Sequence, residues 1–518
     1  MSMTWLADVD KDSFWAHHAW PEFGASVFDE HALAILPIYG MADHGLGVCF
    51  DAEEVLGSEV LKRAVVRVKF SVNLRVLPPV RFGLTPYSSG VFGIDPETAH
   101  DLIREICQGV KAAGFQKLAF FNTSPWSQEL LDAASRDVRV DLGIQTFVTN
   151  LSGVGLSFHP ASEERARTQS AVAKILGETP RPAPRAVAPV VDVEFRPGNF
   201  RTVNSLPPGP PLDGLGFVEA SATKLAGLFL EIAARPSLAG GTVRTGLELS
   251  PPSAVAIEDA TPAFPHGFRS RYLPAMQRDD WERIPNPAKA WVIIPTGSIE
   301  QHGPHLPVGV DALLGHAWTT EVLKRFPAGA QIYVAPPITY GKSNEHLGFP
   351  GTVSISAKTL RRLLLAIAMQ LKSVGFRQIA VLNTHGGNTA VLTYTLREIQ
   401  ASLGLRAGML GQPYKPDLSP QEEEFGFHAG EWETALMLAI ADELVRMDKA
   451  VSEYPARQED SGNVRLGNSP GYLSWMSADI SESGVMGDAK SATRAKGERW
   501  LDAGSAALAA KIASLDGA

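Results

Sequence analysis

Residues 113–123 read AGFQKLAFFNT, and residues 374–384 read VGFRQIAVLNT. They are one unit written twice, 261 residues apart. Each holds a short apolar run closed by Asn-Thr, the pattern of a strand buried on both faces. Working outward, a helix precedes each strand. Its apolar residues in the second copy are Leu360, Leu363, Leu364, Ile367, Leu371 and Val374. The same offset lands on Ala99, Leu102, Ile103, Ile106, Val110 and Ala113. Steps of three and four put one apolar stripe on an amphipathic helix. Farther out, residues 35–45 read ILPIYGMADHG and residues 293–303 read IIPTGSIEQHG, now at an offset of 258. A weaker match pairs Ser221-Ala222-Thr223-Lys224 with Ser491-Ala492-Thr493-Arg494.

The chain is therefore read as a tandem repeat. Half one is placed at 1–235, a linker at 236–264, and half two at 265–518. Two Pro-rich stretches in half one, 179–189 and 205–214, read as surface loops. In half two, the segments WVIIPTG, QIYVAPPI, RQIAVLN and LRAGMLG read as strands. The segment HAWTTEVLKRF, residues 357–374, TAVLTYTLREIQASLG and WETALMLAIADEL read as helices between and after them. Alternating strands and helices predict an α/β fold: in each half, a mostly parallel sheet flanked by helices. Such sheets bind ligands beyond the carboxyl ends of their strands.

The 518 residues carry a formal net charge of −9, with 45% hydrophobic and 20% charged residues. No Lys/Arg stripe is present, so neither nucleic acid nor an anionic membrane is expected as a partner. The N-terminal residues show no signal-peptide pattern, and no apolar run is long enough to span a bilayer. With only Cys49 and Cys107, a reducing cytoplasm is expected rather than a disulfide framework.

Chemistry-bearing residues gather where the ligand should bind. After the first strand of half two comes Glu300-Gln301-His302-Gly303-Pro304-His305, then Asp311. After the third comes Asn383-Thr384-His385-Gly386-Gly387-Asn388. Before the last predicted helix comes His428-Ala429-Gly430-Glu431-Trp432-Glu433. Mixed histidines and carboxylates suit zinc, manganese or iron, and one bridging carboxylate can hold two such ions. His305, His316 and His346 each have a plain reading as orienting or surface residues. Trp432 reads as core or pocket wall. Glu433 opens a helix, where the helix dipole alone favours a carboxylate.

The runs GSIEQHGPHLPVGVD, YGKSNEHLGFPGTVSIS, NTHGGN and HAGEWETALM resemble the signature blocks of the creatininase family, in the family's order. The resemblance covers nearly all of half two. It implies two tandem creatininase-like domains and two divalent metal ions per chain. The implied ligands are Glu300, His302, Asp311, His385 and Glu433, with Asp311 as the bridge. His428 would face the substrate and move a proton. His346, Gly386, Gly387 and Asn388 are the expected substrate contacts. The sequence departs from creatininase at two places. Gly387 stands where creatininase has a glutamate, and Glu424-Phe425-Gly426-Phe427 stands near its Trp-Asp pair. These changes point away from creatinine as substrate. They leave Glu431 open as ligand, base or surface charge.

Half one departs further. His44 survives, and Asp51 and Glu53 lie near the place of Asp311. Ala42 replaces Glu300, Ser124 replaces His385, and no HAG…ET block follows. Half one is expected to be a degenerate copy without a metal site.

The expected activity is hydrolysis of a C–N bond in a small cyclic amide or lactam-like substrate, by a hydroxide bridging the two ions. A formamide hydrolase or a peptide-trimming enzyme is the alternative, and a non-catalytic binding protein the third reading. The family's closed oligomers of single domains imply a homo-oligomer here, a trimer of fused chains resembling a hexamer.

Overall fold

Main-chain pairing repeats the sequence offsets. The structure is a computed structural model that describes residues 6, 9–24, 27–85, 90–178, 213–236, 244–250, 268–455, 464–465 and 471–515. Half one contains β1 (Leu33–Gly40), β2 (Leu74–Val76), β3 (Val80–Leu84), β4 (Gly93–Ile94), β5 (Lys117–Asn122) and β6 (Gln145–Asn150). Half two contains β7 (Trp291–Thr296), β8 (Ile332–Val334), β9 (Gln378–Asn383) and β10 (Arg406–Met409). The first sheet runs β4-β3-β1-β5-β6, with β2 also beside β1, and the second runs β10-β9-β7-β8. Every pair in both sheets is parallel.

The registers coincide under the offsets. Leu33 pairs with Leu74, and Trp291 with Ile332. Ala34 pairs with Leu118, and Val292 with Ile379. Lys117 pairs with Gln145, and Gln378 with Arg406. A one-residue slip would turn every strand side chain over, so shared register means shared inner and outer faces.

The helices of half one are α1 (Ala52–Val68), α2 (Pro96–Ala112), α3 (Gln128–Leu142), α4 (Arg165–Leu176) and α5 (Gly214–Ala234). Those of half two are α6 (Arg278–Glu282), α7 (Val310–Lys324), α8 (Ala357–Val374), α9 (Thr389–Glu398), α10 (Pro420–Phe425), α11 (Glu431–Ile440), α12 (Ser477–Ile480) and α13 (Arg494–Leu515). Helix α8 occupies the predicted residues. Its N-cap Ser356 accepts from Thr359 N, as Asp95, its mate at offset 261, accepts from Thr98 N at the start of α2. Helix α7 starts before the predicted His316, so Asp311 lies in its first turn. The weaker sequence match does not survive: Ser221–Lys224 lies inside α5, whereas Ser491–Arg494 leads into α13. The first Pro-rich stretch, most of the second, and much of the linker lie outside the described residues.

The two halves face each other across a pseudo-two-fold axis. Asp101 and Arg362 are mates under the 261 offset, and they touch each other at 3.4 Å. Self-equivalent contact is the mark of an isologous interface. The arms before the first strands are exchanged. Val308 N donates to His18 O at 2.8 Å and Gly309 N to Ala16 O at 3.1 Å. Their mates at offset 258 do the same: Phe50 N donates to Met276 O at 3.0 Å and Asp51 N to Pro274 O at 2.8 Å. Cys49 and Cys107 are free and buried. Among the described residues, no helix is long and apolar enough to cross a membrane.

Candidate metal centre and active site

The loop after β7 brings in Glu300 and His302, the first turn of α7 brings Asp311, and the loop after β9 brings His385. The first turn of α11 supplies Glu433. Parallel strands end on one side of the sheet, so residues distant in sequence converge there. His302 Nε2 lies 3.6 Å from Asp311 Oδ1 and 3.8 Å from Glu433 Oε2. His385 Nδ1 lies 3.0 Å from Glu300 Oε2 and 3.5 Å from Asp311 Oδ2. Asp311 thus stands between the two histidines, and all five expected ligands converge.

Both histidines are oriented from behind. His302 Nδ1 donates to Glu300 O at 3.0 Å, and His385 Nε2 donates to Lys342 O at 3.0 Å. A carbonyl only accepts, so each bond keeps a proton on the outward nitrogen and leaves the inward nitrogen to bind a cation or, without one, to carry a second proton. His302 Nε2 and Asp311 Oδ2 are buried without a hydrogen-bond partner. Buried polar atoms are ordinarily satisfied. Two orphaned acceptors aimed into a pocket of carboxylates fit a bound cation. Three overlapping groups could hold one: Glu300, His346 and His428; His302, His428 and Glu433; Glu300, His302 and Asp311. Among the described residues, all such groups lie in half two.

The charges are strongly perturbed. Burial pushes Glu433 up to about 7, opposed by His302 and reinforced by Asp311. Burial and the neighbouring Glu300 likewise raise Asp311. Burial works against a charged His302, but Asp311 and Glu433 outweigh it and hold it at about 9. The same balance, with Glu300 as main partner, raises His385 to about 10. Without a cation, imidazolium and carboxylate neutralise each other in this pocket.

Other predicted residues are placed more variously. His428 Nε2 donates to Gln301 O at 2.8 Å, and its Nδ1 lies 3.8 Å from Glu300 Oε1. Its main chain pairs with Met486, and the next residue, Ala429, is left-handed at φ 52°. That conformation is uncommon for a residue with a Cβ, and such strain gathers at functional sites. Ala429 N donates to Glu433 Oε2 at 2.5 Å. His346 is drawn into the cluster, with Nε2 3.4 Å from Glu300 Oε1. Glu431 turns to an ion pair with Lys496 of α13. Asn388 is buried, its amide used by Gly297 O and Lys342 N. His305 Nε2 is 2.8 Å from Thr434 Oγ1, an orienting contact. A Cβ on Gly386 would meet nothing within 4 Å, whereas one on Gly387 would collide with Glu345.

Several residues were missed from sequence. Glu345 Oε1 lies 3.6 Å from His385 Nε2. Its neighbour His346 was the only signal. Gln301 Nε2 donates to Gly484 O at 3.0 Å and lies 3.0 Å from His346 Nδ1. The half-one arm was missed entirely. Trp20 Nε1 donates to Ser483 O at 3.0 Å, and Glu22 pairs with Arg446 at 2.8 Å.

This arm abuts the loop that carries Asp311. A Cβ on Gly309 would lie 2.5 Å from Ala16 O. Its φ of −91° suits any residue, so that collision is the whole obstacle. Gly309→Val is expected to cost about 1–3 kcal/mol by overpacking. By moving the loop it should lower metal affinity by roughly 10–100-fold, the usual effect of lost ligand support. Metal titration checks this, and unchanged affinity would show that the arm does not position the loop.

In half one the equivalent place keeps one such pair, His44 Nε2 and Glu53 Oε1, also buried without a hydrogen-bond partner, but Ala42 and Ser124 stand where Glu300 and His385 would complete a ligand set. Glu53, the mate of Asp311, accepts from Gly40 N at 2.9 Å and Thr123 Oγ1 at 3.0 Å, and faces His44 at 3.0 Å. Asp51 pairs with Arg269 at 3.1 Å.

The creatininase (creatinine amidohydrolase) family model matches residues 16–176 and 275–512. The chain belongs to the creatininase family, with a degenerate N-terminal copy fused to a C-terminal copy that keeps the family's motifs. It is 36% identical over 210 residues to a mycofactocin precursor peptide peptidase of Mycolicibacterium smegmatis, covering 40% of this chain and 78% of that protein. It is 30% identical over 240 residues to creatinine amidohydrolase of Pseudomonas putida, covering 41% and 84%. A crystal structure of creatinine amidohydrolase aligns at 25% identity with a TM-score of 0.40, over 47% of this chain and 97% of that one.

Proposed function

We propose that residues 265–518 form a binuclear metal-dependent amidohydrolase that opens a small cyclic amide or lactam-like substrate. Residues 1–235 form its metal-free companion and 236–264 the linker. The observation that carries this reading is the convergence of Glu300, His302, Asp311, His385 and Glu433 within 3.0–3.8 Å of one another along the cluster, with His302 Nε2 and Asp311 Oδ2 left without partners. Glu300, His302, Asp311, His385 and Glu433 would hold the ions. Zinc, manganese and iron all suit such a set. Two bound ions would supply a Lewis acid that acidifies water and polarises the amide carbonyl. The remaining chemistry is the chain's own. His428 has its Nε2 proton fixed on Gln301 O, so Nδ1 is free to take a proton and pass it to the leaving nitrogen. His346 and the open backbone at Gly386 border the substrate, Gly387 and Asn388 shape the loop, and Glu431 holds the start of α11 against Lys496.

The 36% identity to a protein named a peptide peptidase favours a second reading, trimming of a peptide. Screening lactams, formamides and short peptides with the metal-loaded protein separates the readings. Turnover of lactams is the expected result. Cleavage of peptides alone would move the assignment to the second reading, and no hydrolysis of any amide would sink both.

The free buried cysteines suit a reducing cytoplasm. Because the two halves already pair within one chain, three chains would complete a closed ring of six domains. Light scattering should give a trimer of the 55.6 kDa chain, and a monomer would contradict this arrangement.

A further inference from the structure

A cavity of about 280 Å³ adjoins the candidate metal centre, and His385 and Glu433 form part of its wall. The rest is mostly apolar, formed by Leu314, Trp318, Leu410, Trp432 and Leu508. It lies beyond the carboxyl ends of β9 and β10, between α7, α11 and α13. An apolar cavity of about 150 Å³ already accepts benzene, so this one has room for a ring and the atoms that join it to an amide.

The wall is built to hold its shape. The Trp318 and Trp432 rings lie 6.3 Å apart and within 19° of parallel. Trp432 is stacked in turn on Trp500 at 5.4 Å. Behind Trp318 lies Gly504 of α13, where a Cβ would come within 2.6 Å of the indole. The indole is thus held between a ring and a backbone. Asn383, Thr384 and Gln412 add a few polar groups to the lining. Apolar walls with a few polar groups are the usual form of a pocket for an organic group.

We propose that this cavity is a specificity subsite, taking a flat aromatic or branched apolar group borne by the amide substrate. The inference rests on the amidohydrolase reading for its link to catalysis, but the cavity's own selectivity can be measured without turnover. A ring seated between these walls leaves its amide at the end of the cavity formed by His385 and Glu433.

Calorimetric titration with phenylacetamide and with acetamide, on metal-free and metal-loaded full-length protein, tests this. Phenylacetamide should bind at least tenfold more tightly in both states. Trp318→Ala should reduce that preference to less than threefold. Because Trp318→Ala removes a buried side chain from α7, Gly386→Leu provides a second variant. Gly386 lines the cavity and a Cβ there meets nothing within 4 Å, so the leucine should fill the space, abolishing phenylacetamide binding while the thermal unfolding temperature stays unchanged. Equal binding of the two amides in both metal states would overturn the subsite, as would full preference retained in both variants. Selective binding by a metal-loaded protein that hydrolyses no amide would leave the subsite standing and defeat the amidohydrolase reading.

Discussion

Asp311→Ala should strip the metal from the protein and take hydrolysis to background. Asp311 lies between the two histidines, 3.6 Å from His302 and 3.5 Å from His385. On the proposed two-metal reading it would serve both ions, so its loss would remove a ligand from each. Metal binding and folding should respond in opposite senses. The Asp311 side chain is buried, and burial with Glu300 nearby raises its proton affinity, so in the metal-free protein it is a liability. Active-site groups commonly trade stability for function. The variant should therefore unfold at the same temperature as the metal-free parent or higher. Thr384 Oγ1 bonds the main-chain oxygen of Asp311 at 2.8 Å, and that bond survives the substitution. Elemental analysis and thermal melts together check the claim. A variant that keeps both ions, or one that fails to fold, would contradict it.

His428→Ala should behave differently. The ring is not one of the five proposed ligands, and its Nε2 is already bonded to Gln301 O at 2.8 Å. Its removal should leave both ions in place and slow turnover by roughly 10²–10⁴-fold, the range for a lost general acid or base. The effect belongs in kcat, because a proton needed at the leaving nitrogen is needed in the transition state. His428→Gln would keep a polar group near the site without a titrating nitrogen, and should be equally slow. The overlapping groups that include His428 give the test its edge. If His428→Ala loses an ion, His428 is a ligand and the proton carrier must be found elsewhere.

Much of this was legible in the sequence because the signals are local. Strand and helix positions follow from apolar period, and the gathering of His, Asp and Glu at the strand ends from where they fall relative to it; the five-ligand set was implied by the resemblance to the creatininase family. The offsets of 258 and 261 anticipated the strand registers, since a repeat that keeps its apolar phase keeps its faces. What escaped depends on docking. The exchange of residues 16–18 and 274–276 between halves consists of main-chain bonds, which leave no side-chain pattern to read. Glu345 carried no signal of its own; it sits beside His385 where a Cβ on Gly387 would collide with it. Glu431 shares its turn with Glu433, yet its partner Lys496 lies on a helix whose position no spacing rule gives. The Trp318–Trp432 stack joins α7 and α11, so neither indole announced the cavity on its own.

One half of this chain is proposed to hold a two-metal site and the other none. Elemental analysis of the full-length protein after dialysis, beside His44→Ala and His302→Ala variants, tests it most directly. Two divalent ions per chain are predicted for the parent, unchanged in His44→Ala and sharply reduced in His302→Ala. Loss of metal from His44→Ala, or stoichiometric metal retained in His302→Ala, would contradict the account.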